Sequence, residues 1–496
     1  MAALSVTSAT VQTGAGSVRG LERDGVHAFL GIPYAAPPFG ERRLRPPEPH
    51  EPWDGIREAT QYGATVPKGP YPPPFDRLLP EPVVPGEDCL NLNVWTPEPS
   101  SGAALPVLVW IHGGAFVNGS GAVPQYAGHG FARDGVVCVT INYRLGADGF
   151  LYLDDGIANC GLQDQLSALE WVQENIAAFG GDPAKVTIAG ESAGGMSVFT
   201  LLSLPQARGL FRGAISQSGS ARVVIDRETG ERIGRELARR LGVDATREAI
   251  AAVPVERLLE TQAGIGLEFQ LGPDPETFGP NARNHLPFEP TVDGDVLPHV
   301  PVDGLAAGEG ADVTVLAGWN AEEHRLFLVP TGIAPMVDEA MLAIIAAGHG
   351  LDPGAALAVY RAQLPDATPG ELLISLSTDA LFRIPTIRAA EARFAAARPT
   401  FLYEFAWRTD VEGLGACHAL EIPFVFDALE SEGEALTGLD GPQSLADEMH
   451  GAWVRFASTG DPGWLPYTPE RRAAMRFDLE SSQFDDPAAA ERQVWA

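Results

Sequence analysis

Residues 186 to 202, VTIAGESAGGMSVFTLL, set one serine between glycines, behind a β-branched run and ahead of a longer apolar one. A strand that reverses into a helix at a single residue strains its backbone. It needs small neighbours two positions away on each side, which Gly190 and Gly194 supply. Such a turn lifts the Ser192 hydroxyl above the C-terminal edge of a sheet, where the N–H groups of the starting helix converge. Two readings stand at this point: a nucleophile, or an ordinary helix-start serine. A serine hydroxyl is a poor nucleophile at neutral pH, so it needs a base within hydrogen-bond reach and a polarised hole for the oxyanion. Upstream, IHGGAFVNGSG offers His112-Gly113-Gly114, a loop whose missing side chains let backbone N–H groups point into a site. Gly113 and Gly114 would donate together with the N–H of Ala193, and losing one such donor costs about 3 kcal/mol of transition-state stabilisation. A glycine turn without chemistry is the plain alternative.

The elements that must position these residues are legible as short continuous apolar runs, the form of strands covered on both faces: LPVLVWI (105 to 111), VVCVTI (136 to 141), KVTI (185 to 188) and VTVLAG (313 to 318), with FLYEFAW (401 to 407) a fifth. Between the second and third, Leu166, Leu169, Val172, Ile176 and Phe179 recur at helical spacing. Strands alternating with such helices predict a mostly parallel α/β sheet with helices on both faces. Residues 225 to 285 carry charged helical patterns and read as an insertion over the sheet, where a substrate-covering cap would sit. Residues 335 to 398 are again largely helical. ADEMHGAWVRFASTGDP is expected to be a final helix closed by Gly460 and Pro462, and Asp293-Gly294 reads as a hairpin turn. Pocket walls are expected from loops near 65 to 85 and 265 to 290, the former proline-rich. TGAGSVRG lacks the GxGxxG spacing and reads as a turn.

The 496 residues can form one large domain with insertions, and no repeat or linker divides them. Lys and Arg total 34 against 65 for Asp and Glu, and the net charge of −31 repels phosphate backbones and anionic membranes. Nucleic acid and membrane are therefore not expected as partners. Cys89, Cys138, Cys160 and Cys417 lie far apart, unlike a metal site or a disulfide framework. With no basic start, no apolar leader and no HExxH or clustered Cys/His, the expectation is a cytoplasmic protein without metal or organic cofactor.

HGGAF, NYRLGADGFL and NCGLQDQLSALEWVQENIAAFGGDPAKVTIAGESAGG together resemble the type-B carboxylesterases, the group containing cholinesterases and bacterial para-nitrobenzyl esterases. FLGIPYAAPP, GEDCLNLNVWTP, GLFRGAISQSGS, PTVDGDVLP, HALEIPFVF and WVRFASTGDP extend the resemblance over nearly the whole chain. It implies an α/β-hydrolase fold over residues 1–496 and a serine, acid, histidine triad in that chain order. By resemblance His418 is the general base and acid. The acid falls in GWNAEEHRLFL, where the family has aspartate, glutamate and glycine but this chain has Glu322-Glu323-His324. Counting from Gly318 favours Glu323 over Glu322, and a histidine at a glycine position raises the question of a positive φ. The resemblance also places Ser218 to hydrogen-bond near the acid and Glu191 beside the reacting groups, and pairs Arg43 with Glu87 and Arg144 with Asp182. Extracellular relatives link the cysteine of EDCL to one upstream, and here none precedes Cys89. The implied activity is hydrolysis of small-molecule carboxylic esters through an acyl-enzyme. An amidase or carbamate hydrolase on the same triad is the first alternative, a non-catalytic binding member of the fold the second. His50, His129, His299 and His450 read as surface or packing histidines, and His112 as a brace for its own loop.

Overall fold

The computed structural model describes residues 7–282, 286–429 and 434–495. The N-terminal six residues and the end of the 225–285 segment, 283 to 285, lie outside the described residues.

Fifteen strands occur among the described residues. The N-terminal ones are β1 (Thr7–Gln12), β2 (Ser17–Arg23), β3 (Val26–Pro33), β4 (Ile56–Glu58) and β5 (Asn91–Thr96). The central ones are β6 (Leu105–Ile111), β7 (Val137–Ile141), β8 (Gly181–Glu191) and β9 (Gly213–Gln217). A small parallel pair, β10 (Ile225–Asp226) and β11 (Thr291–Val292), stands apart. The rest are β12 (Thr314–Asn320), β13 (Thr400–Phe405), β14 (Ala473–Phe477) and β15 (Ser482–Asp485). Thirteen form one sheet, ordered β1-β2-β3-β5-β7-β6-β8-β9-β12-β13-β14-β15, with β4 on β2. From β7 to β14 every pairing is parallel, and the antiparallel strands lie at the two ends.

The apolar runs are explained by burial on both faces. Along β6, Val107, Val109 and Ile111 enter one core while Leu108 and Trp110 enter the other, and β12 divides Val315, Ala317 and Trp319 from Leu316 in the same way. This is the two-residue period of a strand with no solvent face. The helix predicted after β7 spans Cys160–Asn175 and tightens into a 3-10 turn, Ile176–Phe179.

The 227–278 stretch is helical, at Arg227–Leu241, Arg247–Ala251, Val255–Leu271 and Pro275–Phe278. The 265–290 segment is therefore helical through Leu271, not a loop. Helices between Glu339 and Ala392 carry a small core of their own around Leu342, Leu357, Tyr360 and Leu372. The helix expected near the C-terminus, Gln443–Thr459, ends at Gly460 with φ 78°, but a short helix Ala489–Val494 follows it. Asp293-Gly294 does not close a hairpin: β11 pairs in parallel with β10, and Asp293 instead accepts the N–H groups of Val296 and Leu297 in a side-chain-capped turn. Among the described residues no single helix is long and apolar enough to cross a membrane.

Both expected ion pairs are differently partnered. Arg43 binds Asp148 at 2.8 Å, because Glu87 is exposed. Arg144 holds Asp164 through Nε at 2.7 Å and a terminal nitrogen at 2.6 Å. Asp182 opens β8, at the opposite edge of the sheet from Arg144 just past the end of β7, and pairs with Lys185 at 3.2 Å.

Candidate active site

β8 runs straight into Ser192, and helix Ala193–Leu202 starts at the next residue. Ser192 has φ 56° and ψ −124°, a strained backbone of the kind that costs about 1–3 kcal/mol. Its side chain makes no capping bond to the helix, which removes the helix-start reading as an account of the hydroxyl. The flanking glycines are sterically required. A Cβ on Gly194 would lie 1.9 Å from the Ile111 carbonyl oxygen, and one on Gly190 would lie 2.5 Å from the backbone of Gly194.

Glycines also form the facing loop. A Cβ on Gly113 would meet the Glu191 carboxylate at 2.8 Å and Ser192 Cβ at 3.1 Å, so this loop packs directly on the elbow. Gly114 adopts φ 110° and accepts the N–H groups of Val117 and Asn118. Among the described residues the N–H groups of Gly113 and Gly114 donate to no protein acceptor, and Ala193 is the first residue of its helix, where N–H groups have no intrahelical partner. His112 Nδ1 sits 2.8 Å from the Gly113 oxygen and its ring stacks on Tyr143 at 4.5 Å. Burial lowers the His112 pKa to about 3, so the ring stays neutral and braces the loop.

The imidazole approaches from the other side. His418 Nδ1 lies 2.6 Å from Glu323 Oε2, the other oxygen of Glu323 accepts the Asn320 N–H at 2.8 Å, and the His418 N–H donates to the Glu323 carbonyl at 3.2 Å. Glu322 turns away to Arg325 at 2.6 Å and Arg408 at 3.3 Å. His324 has φ −73°, so this position needs no glycine. His418 Nε2 lies 3.1 Å from Glu191, and no hydrogen bond joins it to the Ser192 hydroxyl. The Ser218 backbone N–H donates to Gly318, while its hydroxyl is buried without a hydrogen bond, so the bond expected near the acid is not made.

One group escaped the sequence reading. Glu421, three residues after His418, is fully buried and accepts from Gln217 at 3.0 Å and from Asn320 at 2.7 Å. Its place on the same turn as His418 was the available signal. Burial raises its pKa, and burial together with Glu421 and Glu323 pushes Glu191 up to about 8. For His418 burial works against the charged form, but Glu191 and Glu323 outweigh it and raise the ring to about 9. Phe327 and Phe382 flank the imidazole at 5.3 and 4.8 Å between ring centres, Phe382 from a π-helical turn, Asp379–Arg383.

The profile of the carboxylesterase family matches residues 7–344 and 355–495. The chain belongs to the carboxylesterase family. It is 37% identical to the para-nitrobenzyl esterase of Bacillus subtilis over 98% of both chains, and 36% identical to phenmedipham hydrolase of Pseudarthrobacter oxydans over 97% of this chain and 94% of that one. The structure of Geobacillus stearothermophilus carboxylesterase EST55 superposes with a TM-score of 0.86 at 39% identity, covering 98% of this chain and all of that one. This carboxylesterase is accordingly a carboxylic ester hydrolase with the α/β-hydrolase fold and a mostly parallel central sheet.

Proposed function

We propose that residues 1–496 act as one catalytic unit in which Ser192 attacks an ester carbonyl, His418 takes its proton and hands it to the departing alcohol, and Glu323 orients the ring. Gly113, Gly114 and Ala193 hold the oxyanion through their N–H groups. Water then repeats the sequence on the acyl-enzyme. The reading rests on one observation above all: the 2.6 Å Glu323–His418 contact beside an elbow serine whose hydroxyl is not used as a helix cap. The attack requires Ser192 Oγ to swing onto Nε2, which Glu191 faces at rest; catalytic hydrogen bonds often tighten only when substrate is bound. Glu191 and Glu421 tune the imidazole from beside it, and Ser218 acts through its backbone on the end of β12.

Small-molecule esters are the substrates this reading implies, and we place the protein in the cytoplasm on the strength of its four free, buried cysteines. A leaving-group series on wild type and Ser192→Ala, run beside fluorophosphonate labelling, tests the reading. Label and turnover should appear together in the wild type and vanish together in the variant. A wild type that does neither overturns it in favour of a binding protein. The series includes amides, carbamates and phenmedipham, because an amidase or carbamate hydrolase would use the same groups and one relative of similar length is named for that compound.

A further inference from the structure

The segment from Thr65 to Val84 arches over the loop that carries Gly113 and Gly114. Thr65 and Val84 close its neck: the Thr65 N–H donates to the Val84 carbonyl at 2.9 Å, and the Val84 N–H to Thr65 Oγ1 at 3.2 Å. Inside the arch Lys68 and Glu81 form an ion pair at 2.7 Å, with the Lys68 side chain 1% exposed. Both members grip one peptide neighbour. Lys68 Nζ donates to the Gly119 carbonyl at 3.0 Å, and the Gly119 N–H donates to the second Glu81 oxygen at 3.0 Å. Asn118 adds a bond from its side-chain amide to the Gly69 carbonyl at 2.7 Å.

Gly119, with φ 94°, is pressed onto the oxyanion loop: a Cβ there would lie 2.2 Å from the Gly113 carbonyl oxygen and 2.4 Å from His112 Nδ1. The Gly113 carbonyl and the Gly114 N–H belong to one planar peptide group, so whatever fixes the oxygen fixes the direction of the N–H. A buried ion pair is a poor device for stability alone, because the desolvation of two charges offsets most of their attraction. Burial pulls the Lys68 pKa down against the opposing influence of Glu81.

We propose that the Lys68–Glu81 pair is a positioning device for the oxyanion hole: it clamps Gly119, and through Gly119 aims the Gly114 N–H at the substrate oxygen. The inference rests on the assignment of that hole above.

The test uses Lys68→Met, Glu81→Gln and the double variant, which strands no charge. Each is compared with wild type in hydrolysis of para-nitrophenyl acetate and in binding of an aryl trifluoromethyl ketone, which adds Ser192 Oγ and places an alkoxide in the hole. Losing an oxyanion donor outright costs about 10²–10³-fold in kcat, so a misaimed one should cost about tenfold. KM should stay within twofold, and ketone affinity should fall in proportion to kcat/KM. A double variant with kcat and ketone affinity within twofold of wild type overturns the proposal. So does a rise in KM with kcat unchanged, or a double variant that does not fold, either of which assigns the pair to pocket or scaffold. If the wild type itself neither turns over ester nor takes the fluorophosphonate label, the assignment of the active site has failed. If it does both while the variants match it, only this inference has.

Discussion

The two sides of the candidate active site are built from opposite materials. On the Ser192 side the working parts are backbone: Gly113, Gly114, Gly190 and Gly194 are packed so closely that a single added carbon would collide with a neighbouring main chain or side chain. On the His418 side the working parts are side chains, three buried carboxylates and two phenyl rings gathered around one imidazole. The first side fixes where atoms sit, and the second fixes how strongly a proton is held. Substitutions on the two sides should therefore fail differently, the glycine side by loss of geometry and the imidazole side by a change in proton affinity.

The largest effect belongs to the residue where the sides meet. Ser192→Ala should lower kcat by about 10⁶-fold with an unchanged circular-dichroism spectrum, measured by ester turnover. Glu323→Gln keeps the shape but no longer holds the ring in its working tautomer, and kcat should fall about 10⁴-fold while fluorophosphonate labelling slows in parallel. Gly194→Ala sharpens the contrast. Its methyl group collides with the Ile111 carbonyl, and the variant should lose about 3 kcal/mol of stability in urea titration together with its activity.

Proton affinity separates the sides next. Only neutral His418 can serve as base, and its pKa is raised above the ordinary imidazole value, so kcat/KM should fall as pH drops through a limb above 6.5. Glu191→Gln removes one of the carboxylates that raise it, and the limb should move down by about one pH unit. A limb that stays in place would show that Glu191 is neutral throughout and contributes shape alone. The smallest effect is expected at Glu322→Gln. That side chain serves Arg325 and Arg408, and kcat should stay within twofold of wild type.

The same division explains what the sequence made legible. Glycines forced by close packing leave a trace in the chain itself, so GESAGG and HGGAF announced the elbow and its facing loop, and continuous apolar runs announced strands with two buried faces. The imidazole side is assembled from residues remote in sequence. That His418 lies against Glu323 follows only from the resemblance, and Glu421 has no local signal beyond its spacing from His418. Arg43 and Arg144 hold other carboxylates than the resemblance implies, because an arginine in a sequence does not say at which edge of the sheet its partner lies. Asp293-Gly294 carried the residues of a hairpin, but a turn's chemistry does not dictate whether the strand after it returns alongside.

β9 lies between the strand that ends at the serine and the strand that leads to Glu323, with Gln217 opposite both Glu191 and Gly318. The two strand ends, one running into Ser192 and the other leading to Glu323, are thereby set two ribbon steps apart, about 4.8 Å each. The turn that delivers the imidazole belongs to no ribbon and is moored to the end of β12 instead, the His418 N–H on the Glu323 carbonyl and the Asn320 side-chain amide on the Cys417 carbonyl.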